Sequence, residues 1–233
     1  MAKRKKSSVK TWVWRVCLTL GLLIGLAMVF NEQIKLFFVD RMSQSTMQTV
    51  TQKSVKANEK KKATYDFDAV SALDLTTVSK AMTDASKDAI GMLAVPSVKI
   101  YLPVLQGLSN THMATGAGTM KPGQKMGEGN YALAGHSIMK RTGPLMSPLD
   151  YTKVGDMVYL TDMTHVYTYK ITEKKTIDMS HVEVVDDVPG KKLVTLITCE
   201  ALTNSNADRV YVRGELQKVE AATDKTIKIF EKK

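Results

Sequence analysis

Aromatic residues are scarce in this 233-residue sequence, at 6%, and there are only six prolines. The formal charge is +10, but no segment alternates basic with aromatic residues. A basic surface with interleaved aromatics is typical of nucleic-acid binding, so the sequence argues against a nucleic-acid partner. With 44% hydrophobic and 24% charged residues, the composition is that of a globular protein and excludes wholesale disorder.

Cysteine is also scarce, with only Cys17 and Cys199. Cys17 lies in an apolar run with the composition of a membrane helix. It therefore cannot form a structural disulfide with a Cys199 that lies outside the membrane. Cys199 is then a lone thiol in an extracytoplasmic domain, which favours a reactive group or intermolecular pairing.

The apolar run covers residues 12–30, about 19 residues, which is enough for a helix to cross a ~30 Å hydrocarbon core. Basic residues crowd the preceding segment 1–11 and predict a cytoplasmic N-terminal tail. The sequence therefore predicts a single-pass protein of the cell membrane with an extracellular domain. A cleaved signal peptide is the alternative, but no small-residue cleavage site follows residue 30.

The amino-acid composition of the remainder of the chain changes at residue 91. Residues 31–90 contain neither glycine nor proline and are mostly polar, which predicts a partly helical spacer. Residues 91–218 contain recurrent glycine and proline between apolar or alternating runs, and residues 219–233 form a charged tail. Strands are predicted at 97–103, 131–134, 157–161, 165–171, 193–198 and 209–212. Many short strands favour an all-β barrel or sandwich with minor helices.

Two residues that follow predicted strands are candidates for thiol chemistry. Cys199 ends one apolar run, where composition alone favours a buried core thiol over a reactive one. His136 follows another run after a glycine, and imidazole is the natural base for a nucleophilic thiol. Spacing favours His136 only modestly over the other histidines, which are His112, His165 and His181.

Two arginines, Arg209 and Arg213, share one face of the last predicted strand and are separated by ~13 Å. A guanidinium can stabilise an oxyanion or hold a substrate backbone during acyl transfer. A solvated strand face is the ordinary alternative. Because of their separation, at most one of the two can serve Cys199.

Three segments together resemble the sortase family. Leu-Ala-Gly-His at 133–136, Thr-Leu-Ile-Thr-Cys at 195–199 and Arg-Val-Tyr-Val-Arg-Gly at 209–214 look like its signature segments, in the family's order. The anchor and spacer suit the class A, housekeeping type. The resemblance implies a closed sortase-type β-barrel of about eight strands, with segment 172–192 as a loop over the substrate groove. It also overturns the core-thiol interpretation of Cys199.

The resemblance implies a role for each matching residue. Cys199 would attack the Thr–Gly carbonyl of a Leu-Pro-x-Thr-Gly sorting signal and form a thioester, while His136 donates and accepts protons. Arg209 would hydrogen-bond the substrate or the oxyanion, which leaves Arg213 as the non-matching arginine. The residues expected to line the substrate groove are Ala134, Thr195 and Ile197.

The implied partners are secreted proteins with a C-terminal sorting signal and the amine of a lipid-linked peptidoglycan precursor. A thioester keeps enough acyl-transfer potential for an amine to resolve it, so no metal or organic cofactor is required. Some sortases respond to calcium through an acidic cluster, but the matching segment 120–125 contains two lysines. Acidic residues at Glu183, Asp186 and Asp187 leave a calcium site open.

Two other functions fit part of the sequence. A papain-like cysteine peptidase expects its cysteine at a helix N-terminus, upstream of its histidine, whereas here the cysteine ends a strand and follows the histidine. A non-catalytic, membrane-tethered wall-binding module explains the anchor and charge equally well, but leaves the three segments to coincidence.

Overall fold

The computed structural model of the chain describes residues 9–67, 69–71, 73–83, 88–138, 143–199 and 208–232. It forms two units, residues 1–37 and 38–233. The first contains helix α1 (Val9–Val29) and the start of helix α2 (Asn31–Gln48). Helix α1 is long and apolar enough to cross a membrane, and none of its residues is buried. The basic tail predicted at 1–11 lies largely outside the described residues.

In the second unit, the rest of α2 is followed by α3 (Gln52–Asn58) and α4 (Leu75–Thr83). These helices fall within the stretch predicted as a polar spacer. Some of their apolar side chains are buried, and Val39 and Val78 belong to the main hydrophobic core, whereas Leu75 and Met82 are exposed. An amphipathic helix gains most of its stability from such burial, so helical structure here depends on contact with the domain.

Eight strands form a closed barrel in the order β1-β2-β3-β4-β7-β8-β6-β5. They are β1 (Ala89–Val95), β2 (Ile100–Leu105), β3 (Ala117–Thr119), β4 (Asn130–Ala134), β5 (Met157–Thr161), β6 (His165–Asp178), β7 (Leu193–Cys199) and β8 (Asp208–Ala221). Short helices α5 (Asn110–Thr115) and α6 (Asp224–Ile227) complete the unit. The predicted fold class, an all-β barrel of eight strands with minor helices, is confirmed.

Strand alternation separates the barrel core from the outer face. In β7, Val194 and Leu196 belong to the core cluster, whereas Ile197 belongs to a separate cluster on the outer face. In β8, Val212 lies in the core and Tyr211 in the outer cluster. Successive side chains of a strand point to opposite faces, so the odd-numbered residues of both strands share the outer face.

Several strands differ from the sequence prediction. Strand β1 is missed because all seven residues are buried, which removes the alternation that marks a half-buried strand. Strand β3 has only three residues and is missed as well. Strand β6 continues to Asp178 because it pairs with β8 along its whole length. The predicted loop 172–192 is therefore too long at its start, and the β6–β7 loop comprises residues 179–192.

Candidate active site

The ends of two neighbouring strands bring His136 and Cys199 to the same edge of the barrel. Strands β4 and β7 are parallel, and Ala134 pairs with Ile197. His136 and Cys199 each lie two residues beyond that pair. The backbone stays paired past Ala134, because the Gly135 amide donates to the Ile197 carbonyl at 3.1 Å and Thr198 Oγ1 donates to the Gly135 carbonyl at 2.7 Å.

The antiparallel pairing of β7 with β8 places Arg209 directly opposite Cys199. Directly opposed residues have Cβ atoms about 4.5–5.5 Å apart. The Arg209 side chain is half-buried, and its Nη1 donates to the Asp208 carbonyl at 3.1 Å. Of the two candidate arginines, the register therefore brings Arg209 next to Cys199.

Arg213 lies four residues further along β8 and opposes Thr195 instead. Its Nη2 donates to the Val184 carbonyl at 2.9 Å, and its guanidinium lies 5.1 Å from the centre of the Tyr211 ring. These contacts tie Arg213 to the β6–β7 loop, at a distance along the strand from Cys199.

The imidazole of His136 is largely buried. Burial lowers the pKa of His136 to about 4, because desolvation disfavours the charged form. Its Nε2 and the Ser137 hydroxyl lack hydrogen-bond partners within the described part of the chain. The ring is therefore neutral near pH 7 and has a nitrogen available for proton transfer.

Tight packing holds the backbone of His136. Its carbonyl accepts a hydrogen bond from the Met146 amide at 3.0 Å. A Cβ at Gly135 would approach Met146 Cγ to 2.6 Å, so only glycine fits between strand β4 and His136 without displacing Met146. The glycine in the 133–136 segment thus has a packing role beside the candidate base.

An apolar cluster covers the outer face of β4, β7 and β8 below these residues, and we call it the groove cluster. Its buried members are Leu108, Met113, Met120, Ala132, Ile197 and Tyr211. Ala134, Val184 and Val185 pack against it while partly exposed. Two of the three predicted groove residues, Ala134 and Ile197, thus meet the β6–β7 loop in one apolar surface.

The third predicted groove residue, Thr195, is fully buried. Its Oγ1 donates to Asn130 Oδ1 at 2.8 Å, so its hydroxyl supports Asn130 instead of facing a groove. Asn130 Nδ2 donates to the carbonyls of Val184 at 3.0 Å and Asp186 at 3.1 Å. Its backbone amide donates to Asp187 Oδ1 at 2.8 Å. Asn130 therefore fastens the β6–β7 loop to the barrel.

Sequence reasoning missed Asn130, because an asparagine at the start of a strand is an ordinary turn residue. An ion pair adds to the same attachment, with Lys121 Nζ 2.6 Å from Asp187 Oδ1. Hydrogen bonds from Lys121 and Asn130 lower the pKa of the Asp187 carboxyl. No group of three or more potential metal ligands occurs in the described ranges.

A sortase-domain family model matches residues 93–217. Sortase A of Streptococcus agalactiae is 40% identical over 241 residues, covering 99% of this chain and 96% of the relative. Sortase A of Listeria monocytogenes is 41% identical, covering 87% and 90%. The crystal structure of the Listeria sortase A has a TM-score of 0.57 at 40% identity, covering 61% of this chain and 96% of that one.

Proposed function

Since the chain belongs to the sortase family and is a cysteine transpeptidase of cell-wall anchoring, we propose that Cys199 is its nucleophile, with His136 and Arg209 as catalytic partners. The observation that carries this assignment is the strand register. It pairs Cys199 with Arg209 across β7 and β8 and sets His136 beyond β4 at the same edge. The non-catalytic module and the papain-like peptidase are not favoured by these relatives.

The proposed reaction has two acyl transfers. The Cys199 thiolate attacks the Thr carbonyl of the sorting signal, and Arg209 stabilises the oxyanion that forms. The C–N bond breaks, and the leaving glycine amine takes a proton from the His136 imidazolium. The resulting thioester is attacked by the incoming amine, which returns a proton to His136. The new amide forms as the Cys199 thiolate leaves, so no proton or electron is gained or lost.

The buried environment of His136 affects the protonation state from which this cycle starts. Its low pKa means that most of the resting protein carries a neutral imidazole at pH 7. The thiolate–imidazolium pair that reacts is then a minor population. We expect activity to depend on how readily a bound substrate stabilises that pair.

The substrate proposal follows from the family and the groove. The protein acts on cell-wall sorting signals, and we propose a Leu-Pro-x-Thr-Gly signal at the C-terminus of secreted proteins. Ala134 and Ile197 would line its path along the groove cluster, with Thr195 supporting the surface from beneath through Asn130. The acceptor would be the amine of a lipid-linked peptidoglycan precursor.

Helix α1 and the sortase A relatives indicate a membrane-anchored protein. We propose that residues 1–11 lie in the cytoplasm, 12–30 span the membrane and 31–90 form the spacer. The catalytic domain, 91–218, and the charged tail, 219–233, would then lie outside the cell. Cysteine labelling of intact cells with a membrane-impermeant maleimide, at engineered positions near either end, tests this orientation.

Mass spectrometry of the full chain in detergent tests the site. A Leu-Pro-Ala-Thr-Gly peptide and triglycine are supplied to wild type and to Cys199→Ala, His136→Ala, Arg209→Ala and Arg213→Ala. We expect cleavage between Thr and Gly, with triglycine joined, in wild type and in Arg213→Ala at saturating peptide. The other variants should fail. Equal losses in the two arginine variants at saturation would refute the choice of Arg209, and an acyl-enzyme in Cys199→Ala would refute the nucleophile.

A further inference from the structure

A cavity lies at the opposite end of the barrel from Cys199. It has a volume of about 390 Å³ and is bounded by the segment after β3, the residue after β5 and the stretch before α4. Tyr131, at the start of β4, lines it. Strand β4 therefore separates this cavity from His136, and it is distinct from the groove cluster. The mouths of barrels are common positions for small-molecule sites.

The floor of this barrel-mouth cavity contains an unpartnered phenol. Tyr131 is only 2% exposed, and no described residue forms a hydrogen bond with its hydroxyl. Buried polar groups in folded proteins are usually paired, so a hydroxyl at a cavity wall without a protein partner is available to a ligand in the cavity. Tyr65 and Tyr167 add two further phenol rings to the lining.

Carboxylates surround these rings. Glu59, Glu128 and Asp162 line the cavity, and Tyr167 Oη donates to Asp162 Oδ2 at 3.0 Å. Burial raises the pKa of Tyr131 and the charges of Glu59 and Asp162 raise it further, so both carboxylates act on the floor of the cavity. An acidic cavity is unexpected in a protein whose net charge is +10.

Two lysines also line the cavity, but they do not cancel this charge. Lys121 forms its ion pair with Asp187 of the β6–β7 loop, at 2.6 Å. Lys125 is the remaining cation in the lining, against three carboxylates. Opposite charge close to a partly enclosed site strengthens the binding of a cation.

We propose that the barrel-mouth cavity binds a small organic ammonium ion. The ammonium group would donate to the Tyr131 hydroxyl and to the carboxylates of Glu59 and Asp162, and the phenol rings would contact its alkyl chain and its charge. The ligand class includes a short diamine and the lysine-type amino end of a peptide. The proposal does not depend on the catalytic assignment, since the cavity and Cys199 lie at opposite ends of the paired strands β4 and β7.

Calorimetric titration of the full chain in detergent with cadaverine tests the proposal. We expect saturable binding that weakens as sodium chloride is added, because exposed charges are screened by salt. A 13C-methyl methionine spectrum locates the site, since Met126 lines the cavity and its methyl signal should shift during the titration. Met126→Leu identifies that signal.

Tyr131→Phe is the most informative variant, because removing an unpartnered hydroxyl should leave the fold intact. We expect it to weaken cadaverine binding by about tenfold, and Glu59→Gln by about fivefold. Lys125→Met should strengthen binding, because it removes a like charge. Tyr159→Phe, in β5 and packed in a different cluster, is the matched control and should leave binding unchanged.

Three results would overturn the proposal. The first is no heat and no Met126 shift up to ~50 mM cadaverine, well above a millimolar dissociation constant. The second is equal binding of glucose, a neutral polyol, which would mean that charge does not select the ligand. The third is unchanged affinity in both Tyr131→Phe and Glu59→Gln, which would place the ligand elsewhere.

Discussion

The two ends of the β4–β7 pair treat buried polar groups in opposite ways. At the start of the pair, Asn130 is fully buried, and its side chain and amide are hydrogen-bonded to Thr195 and the β6–β7 loop. At the far end, His136 Nε2 and the Ser137 hydroxyl are buried without partners in the described part of the chain. The same two strands thus carry a saturated network at one end and an unsatisfied one at the other.

This difference distinguishes polar groups that stabilise the structure from polar groups that take part in catalysis. An unsatisfied buried polar group costs about 1–3 kcal/mol, and a catalytic role is one requirement that can offset this cost. A nitrogen that must exchange a proton with substrate cannot be held permanently by a protein partner. We interpret the fastened end as the part that shapes the groove and the unsatisfied end as the part that reacts.

The largest expected effect is on the transpeptidation rate, and it comes from a substitution at the reactive end alone. Cys199→Ala should lower the transpeptidation rate by at least about 10⁴-fold, because the nucleophile is lost. Thermal unfolding should move by less than about 2 °C, since the substitution removes a single sulfur atom at the end of a strand. Peptide ligation and differential scanning calorimetry measure both. A large fall in melting temperature would mean that the catalytic end is structural as well.

The next largest effect is on stability, and it comes from a substitution at the fastened end. Asn130→Ala leaves two loop carbonyls and the Thr195 hydroxyl without partners, and should lower the free energy of unfolding by about 3 kcal/mol. Because the β6–β7 loop loses its attachment, KM for the sorting peptide should rise about fivefold, with kcat changed by less than about twofold.

Denaturant unfolding and steady-state kinetics measure the two quantities for Asn130→Ala. Asn110→Ala is the control, since Asn110 bonds to Ser71 and Ala69 at the exposed surface and should cost under about 1 kcal/mol. Unchanged KM in Asn130→Ala would show that the loop does not need this attachment to bind substrate.

Measuring stability against pH tests whether burial keeps His136 neutral at the reactive end. The pKa of His136 is lowered from 6.5 to about 4. Between these two pH values, the unfolded chain is protonated at this residue and the folded chain is not. Stability should therefore fall as pH falls from about 6.5 to 4 and level off below, by on the order of 3 kcal/mol for this group.

Urea midpoints between pH 7 and pH 4 measure this loss. His136→Gln should show a flatter profile than wild type. Burial also lowers the pKa of His112, so His112→Gln serves as a second variant with its own, separate contribution. Identical profiles for wild type and His136→Gln would mean that His136 is not held neutral by burial.

The smallest effect concerns the surface ion pair between Lys121 and Asp187. Because Asp187 is largely exposed, Lys121→Met should change stability by less than about 1 kcal/mol and KM by less than about threefold. The Lys121 ammonium already neutralises Asp187, so calcium or a chelator should leave wild-type KM unchanged. Stimulation of wild type by calcium would contradict this account.

Local sequence pattern was sufficient for several features. The run at residues 12–30 predicts helix α1, and alternation in the first half of β6 predicts that strand. The segments around His136, Cys199 and Arg209 identify the family. Pattern failed for β1, whose uninterrupted burial hides its period, and for the second half of β6, whose pairing with β8 lies far along the chain.

The sequence by itself therefore predicted the anchor, the all-β class and the residues of the candidate site, because each prediction depends on composition or on a short motif. Only the tertiary structure decided which arginine lies beside Cys199, that Thr195 is buried, and that Asn130 holds a loop more than 50 residues away. Register and hydrogen-bond partners across a closed barrel depend on strands that meet only after folding. No local pattern encodes them.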